Sequence, residues 1–503
     1  MLSTVLKCRR CDWKSYRHKT TVKTPSAKGA SGPSTPAAHQ IHVVAGGADF
    51  IISCSFVAPF VFCLEAAAKD PFIMSTGEPA ETRSTAQPRP RGATQEGDGA
   101  KIRPGLLYRI TRDRALRAAL YVFLLTRLFV FLVMIIGGQM GHISTGQYNT
   151  SREFNFHLDK VPVARLLREN TQVADVNWYL GIAELGYHAG PFRVDEQRNW
   201  AFFPLFPMVW RAAAKLTGEF MITGILLSNL FFFGALILLY KLALAFGLED
   251  KEARRTLFYL AVFPTSYFFS LPLTESLFLF LTLGSFYAAR REVWWLAGLC
   301  GAFASATRVT GVLLLPALLL IYWNAYGSFS WRDFLRRDFW KPRLLWLAIV
   351  PAGLFAFMYF LRLHTGNAFA FKDILVTWGR TSGFFLKTLY GYVAEPTLIG
   401  IPWDFRVLNF IFAMTAIVCG IVLLRRREWW PLACYTLMSV IVSLSSQILQ
   451  SQGRYTMVLF PVFIVLAMAG RRERFDEIYR VVSIILFSLM LALFAAHYNV
   501  AMA

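Results

Sequence analysis

Arg109-Ile-Thr-Arg-Asp-Arg-Ala-Leu-Arg117 runs directly into a long apolar stretch, 118–137. That stretch is long enough to cross the hydrocarbon core of a bilayer. Lys and Arg close to a membrane surface stay preferentially on the cytoplasmic side, so the first span enters from the cytoplasm. The same grammar repeats along the chain. Basic clusters recur at Lys251–Arg255, Arg290–Arg291, Arg332–Arg343, Arg425–Arg427 and Arg471–Arg474, with a weaker pair at Arg211 and Lys215. Apart from that weak pair, one threading puts every cluster inside. It predicts an all-α polytopic membrane protein of about 11 spans: 118–137, 221–246, 256–271, 274–289, 294–307, 309–323, 344–363, 407–424, 430–449, 455–469 and 481–498. It leaves a large first external loop, 138–220, and a second, 364–406. The segment 202–216 is apolar but carries Pro204, Pro207, Arg211 and Lys215, so it reads as an interfacial or re-entrant helix.

Composition agrees. Of 503 residues 55% are hydrophobic and 16% aromatic, and mean hydropathy is +0.44, above what a soluble chain of this size carries. The formal net charge of +21 sits in short loops and sets orientation, so nucleic acid is not an expected partner; the lipid bilayer is. Cys8 and Cys11 have no second pair to complete a zinc site, and Cys300, Cys419 and Cys434 fall in apolar runs as core residues. Residues 1–105 differ from the rest. They are rich in Pro, Gly, Ser and Thr over 18–40 and 74–104, a disordered composition, around a short apolar run with the length of a signal-like core. They are either a disordered extension or a stretch preceding a natural start at Met74. The membrane domain is 106–503.

An ionisable residue within or beside a membrane segment is costly, which makes it a functional candidate. Asp175-Val-Asn177-Trp178-Tyr179 leads to Glu184 and Tyr187 in the first external loop. Nine residues separate the two acids, so on a helix they do not share a face. Phe202-Phe203-Pro204-Leu-Phe206-Pro207 follows. Phe263-Pro264-Thr265-Ser266-Tyr267 and Thr274-Glu275-Ser276 are two arms of a hairpin with an external tip. Arg308 lies between apolar runs with no acid near it in sequence, and Arg380 and Arg454 fall on the outside. Structural readings stay open beside these: Asp175 as a helix cap, Glu275 as an acid complementing a helix dipole, the arginines as interfacial anchors. Acids and arginines beside aromatics, without a His cluster or a paired-acid metal site, suit a reaction with a lipid-linked phosphate leaving group. Guanidinium forks match phosphate, and one carboxylate serves as general base. No metal and no cofactor are expected.

These stretches resemble the PIG-V family of mannosyltransferases, within the GT-C glycosyltransferases. The family pattern Trp-Asp-x-x-Trp-Tyr-Leu-x-Ile-Ala-x-x-Gly-Tyr is matched by Asp175, Trp178, Tyr179, Leu180, Ile182, Ala183, Gly186 and Tyr187, with Ala174 where the first Trp usually stands. Phe202–Leu205 with Pro207, Phe263–Phe268, Thr274–Phe278, Thr307-Arg308 with Gly311, and Gly453-Arg454-Tyr455 with Phe460-Pro461 follow in order. The resemblance implies a GT-C transmembrane bundle and a membrane glycosyltransferase that uses a polyprenyl-phosphate sugar donor, most often mannose. It implies inversion at the anomeric carbon and a glycan, glycolipid or protein acceptor on the non-cytoplasmic face. Asp175, Glu184 and Glu275 are then the catalytic candidates, Arg308, Arg380 and Arg454 the phosphate ligands, and Asn177, Trp178, Tyr179, Tyr187, Tyr267 and Tyr455 the substrate-binding set. The membrane is a bacterial plasma membrane, or the endoplasmic reticulum if the chain is eukaryotic. A transporter or flippase of lipid-linked saccharides would share the arginines and aromatics and is the alternative.

Overall fold

The computed structural model describes residues 113–144, 163–397 and 405–498, together with Val44–Ala45 and Ala48–Asp49. The two short strands pair antiparallel within a separate unit, Met1–Pro59. The reading of 1–105 otherwise lies outside the described residues.

The rest is helical. Among the described residues six helices are long and apolar enough to cross a membrane: Arg114–Gly137, Phe220–Ala245, Val309–Tyr326, Pro342–Thr365, Arg406–Leu423 and Glu473–Ala495. The other expected spans are shorter helices or broken ones, so the eleven spans do not appear as eleven uninterrupted helices. The expected span 256–271 is the end of a helix, Asp250–Ala261, then a turn and the 3-10 helix Ser266–Ser270. The expected span 455–469 is Gln452–Met457, a break at Val458 and Leu459, and Phe460–Ala469. Pro264, Pro351 and Pro461 lie at or beside such breaks, where a missing N–H and a fixed φ end a helix. Broken backbone at membrane depth is tolerated where protein buries the freed groups.

Arg127 shows how one break is buried. It lies inside the first long helix, 2% exposed. Its Nη2 donates to Ala261 O at 3.1 Å and Ser266 Oγ at 2.9 Å, and its Nη1 to Ser266 O at 2.9 Å and Ser270 Oγ at 3.2 Å. The guanidinium thus takes up the Ala261 carbonyl that the ended helix leaves open, at the helix end where positive charge is favoured.

The basic loops gather at one end of the bundle. Arg290 Nη2 donates to Ala245 O at 2.9 Å, and Tyr326 OH to Glu292 at 2.6 Å. Phe329 packs on Trp430 with centroids 5.3 Å apart. Arg255 pairs with Asp476 at 3.1 Å, and Arg471 with Glu252. The opposite helix ends carry Glu275 and Arg308.

The described parts of the two expected external loops are folded. The first holds the helices Val163–Thr171, Asp175–Glu184 and Leu205–Thr217; the last falls on the segment expected to be interfacial or re-entrant. A small apolar cluster ties the loops together: Trp200 and Phe203 of the first pack with Phe357, Leu361 and Phe371 around the second.

Candidate active site

Two helix starts bring two acids toward one arginine. Asp175 is the first residue of Asp175–Glu184 and Glu275 the second of Thr274–Arg290. Neither acts as a cap. The cap positions belong to Ala174, at φ 46°, and Leu273. The side chains instead converge on Arg454. Its Nη1 donates to Asp175 Oδ2 at 2.7 Å, while Nε and Nη2 both donate to Glu275 Oε1, at 3.0 and 2.8 Å. Arg308 Nη2 reaches the same Glu275 oxygen at 3.4 Å. Glu275 is fully buried and Arg454 8% exposed, whereas the Asp175 side chain is 36% exposed. The result is a chain Asp175–Arg454–Glu275–Arg308, buried at its centre and open at its first acid.

Close packing positions both arginines. A Cβ on Gly453 would lie 2.6 Å from Thr265 Cγ2, and one on Gly311 2.4 Å from the Ala304 carbonyl carbon. The glycines let the Arg454 segment sit on the Thr265 turn and the segment after Arg308 fold against the end of Trp294–Thr307. Arg308 is the extended residue between that helix and the 3-10 turn Val309–Leu313. Its guanidinium stands 5.8 Å from the Tyr455 ring centre and 5.9 Å from that of Phe278. Arg380 follows the left-handed Gly379, φ 71°, and its Nη1 donates to Tyr455 OH at 2.8 Å.

All four members of that chain except the sealed Glu275, together with Arg380, line a cavity of about 600 Å³. Tyr179, Phe202, Phe278, Trp378, Tyr455 and Gln452 complete much of its wall. Burial pushes the Tyr179 hydroxyl above its ordinary pKa, with Arg308 acting against the shift, so it serves as a neutral hydrogen-bonding group. The Arg308 Nη1 nitrogen and the Glu275 Oε2 oxygen are buried without a hydrogen-bond partner among the described residues. A forked cation beside an open cavity, with donor capacity unspent, is suited to an anionic oxygen.

The remaining candidates disperse. Glu184 is exposed at the far end of the Asp175 helix, roughly 13 Å along its axis by helical rise, and only its backbone oxygen is engaged, by Arg211 at 2.8 Å. Asn177 and Trp178 line a smaller hollow with Gly181, His188 and Asn199 on another face of that helix. Trp178 stacks on Phe202 at 5.8 Å, behind the cavity wall. Tyr187 OH donates to Phe202 O at 2.6 Å, which fastens the loop. Tyr267 is fully buried against Phe268 and Phe494. None of these candidate side chains lines the cavity.

Sequence reasoning passed over one wall. Thr436, Ser439 and Ser443 recur at three- and four-residue intervals in the apolar helix Trp430–Leu444, which puts them on one face, and Ser446 continues the series past its end. Ser439, Ser443, Ser446 and Gln452 line the cavity. The polar stripe was the available signal.

A family profile described as Mannosyltransferase (PIG-V) matches residues 115–379. Among solved structures the chain is similar to ArnT from Cupriavidus metallidurans bound to undecaprenyl phosphate, at 15% identity and a TM-score of 0.40, over 75% of this chain and 74% of that one. It is also similar to the Archaeoglobus fulgidus oligosaccharyltransferase in its apo form, at 14% identity and a TM-score of 0.36, over 74% of this chain and 55% of that one. The same enzyme tethered to an acceptor peptide matches at 12% identity and a TM-score of 0.35, over 74% and 54%. The chain thus spans about half the length of those oligosaccharyltransferase structures. No curated protein matches it.

Proposed function

Since the chain belongs to the mannosyltransferase (PIG-V) family, and is therefore a membrane glycosyltransferase, we propose that it moves a mannose from a polyprenyl-phosphate donor to an acceptor hydroxyl. Family membership favours the transferase over the transporter alternative. The reaction takes place at the membrane face opposite the basic loops, which is the non-cytoplasmic face by the charge rule. The acceptor is a glycan, glycolipid or protein.

One observation carries this reading: a half-exposed carboxylate, Asp175, and a partly unpartnered guanidinium, Arg308, open on the same cavity and are joined through Arg454 and Glu275. Arg308 and Arg380 hold the donor phosphate. Asp175 accepts the proton of the acceptor hydroxyl as its oxygen attacks the anomeric carbon. The bond from that carbon to the phosphate oxygen breaks on the opposite side. The electron pair leaves with the polyprenyl phosphate, and the anomeric centre inverts. Arg454 does not need to touch the donor. It aims Asp175, as a fixed donor aims a general base, and it is the counterion of Glu275. The buried Glu275 is accordingly an anchor for two arginines and not the base.

The test is sugar transfer by purified protein in proteoliposomes, with labelled polyprenyl-phosphate mannose and a mannoside acceptor lipid, without an ion gradient. A general base contributes about 10²–10⁴-fold, so Asp175→Asn is expected to lose turnover on that scale while retaining labelled donor. Normal turnover in Asp175→Asn removes it as the base.

A further inference from the structure

The polar wall passed over in the sequence has its own chemistry. Ser443 Oγ donates to Gln452 Oε1 at 3.0 Å. The same single hydroxyl hydrogen also faces Val440 O at 2.9 Å, so the amide oxygen shares it while Nε2 is not engaged. Gln452 is 1% exposed and Ser439 5%. Gln452 Nε2 and Ser439 Oγ are buried without a hydrogen-bond partner among the described residues. A buried polar atom left unpaired is costly, and two on one cavity wall mark a surface built to be completed. The backbone is held to this arrangement as well: Gln447 and Ser451, which bracket the turn into Gln452, both have φ near 60°. Such strain in non-glycine residues gathers at ligand sites.

The groups on this wall are neutral. The amide nitrogen donates and the hydroxyls both donate and accept, which suits sugar hydroxyls. Among the charged groups of the cavity, Arg308 and Arg380 suit the phosphate instead. Gln452 is also two residues from Arg454, which holds Asp175. A hexose with its anomeric carbon facing Asp175 would therefore present its ring hydroxyls to this shelf. Resting on the donor reading above, we propose that Gln452 and Ser439, with Ser443 orienting the amide, form the subsite that reads the hydroxyls of the donor hexose and set sugar specificity.

Binding tests this apart from catalysis. Two probes are used with the detergent-purified full chain: polyprenyl-phosphate mannose and the same polyprenyl phosphate without sugar. Wild-type protein is expected to prefer the mannosylated lipid. Gln452→Met and Ser439→Ala are each expected to lower that preference about tenfold or less, the reach of one hydrogen bond, with affinity for the sugar-free lipid unchanged. Ser439→Ala is the smaller change and serves if Gln452→Met does not fold. Arg308→Lys should weaken both lipids equally. Equal binding of the two lipids by wild type overturns the subsite, as does an unaltered preference in the folded variants; a phosphate role for Arg308 survives either result. Binding of neither lipid overturns both the subsite and the donor reading.

Discussion

Arg127 and Arg454 are both buried guanidiniums, and each stands over a phenylalanine ring: Arg127 4.8 Å from the centre of Phe232, Arg454 4.7 Å from that of Phe268. Their hydrogen-bond partners separate them. Every group that Arg127 bonds is neutral: the Ala261 and Ser266 carbonyls and the hydroxyls of Thr126, Ser266 and Ser270. Arg454 bonds two carboxylates from helices 179 and 279 residues away in sequence. A charge enclosed by carbonyls and hydroxyls closes a broken helix and has no opening to a ligand. A charge between two acids, one of them on a cavity, can respond when a further charge arrives. Burial and aromatic contact alone do not tell an architectural arginine from a working one.

Arg454→Ala is the strongest way to test that contrast. It leaves the buried Glu275 with only its 3.4 Å contact to Arg308, a loss on the scale of a broken buried pair, about 3–5 kcal/mol, and it releases Asp175. Thermal unfolding in detergent should fall sharply and transfer should cease. Pairing it as Arg454→Met with Glu275→Gln should recover most of the stability and none of the activity. Recovery of both would make Arg454 as architectural as Arg127.

Arg127→Met should come next, and in the opposite sense. Loss of the charge-assisted bonds, each about 1.5–3 kcal/mol, lowers the melting temperature. Turnover per folded molecule should stay near wild type. A large kcat loss in folded Arg127→Met would break the comparison.

Arg308→Lys keeps the charge and gives up the planar fork. The donor KM should rise about tenfold, the scale of one bidentate contact, with melting unchanged. An unaltered KM would move Arg308 to the architectural side. Glu184→Gln should have the smallest effect. It is exposed and outside the cavity, so stability should stay within about 0.5 kcal/mol and turnover within a factor of two or so of wild type. Loss of activity there would reassign the base.

The comparison also shows what the sequence could convey. Asp175, Glu275, Arg308, Arg380 and Arg454 each stand out because a charge in an apolar setting is costly, and all but the sealed Glu275 reach the cavity. The basic loops cluster for the same reason that they orient the chain. Pairing was not legible. Which acid meets which arginine depends on contacts across hundreds of residues, and no local pattern specifies them. Arg127 was missed because the apolar run around it read as uniform. Tyr267 was included for its motif neighbours, although its ring packs into the core. Helix breaks were under-read because mean hydropathy does not register where a proline or a turn interrupts a run.

Charge balance around the Arg454 cluster has a consequence for turnover. Two carboxylates and three guanidiniums, counting Arg380, leave one positive charge. On the proposed mechanism a donor phosphodiester brings one negative charge, which makes the cluster itself neutral; Lys372, exposed on the same cavity wall, stands outside this count. Transfer turns the diester into a monoester with up to two negative charges and places a proton on Asp175. The cluster is neutral again with product bound. When Asp175 gives that proton to water, the product is left with one negative charge in excess. On the proposed mechanism, the step that resets the base is also the step that loosens the spent lipid.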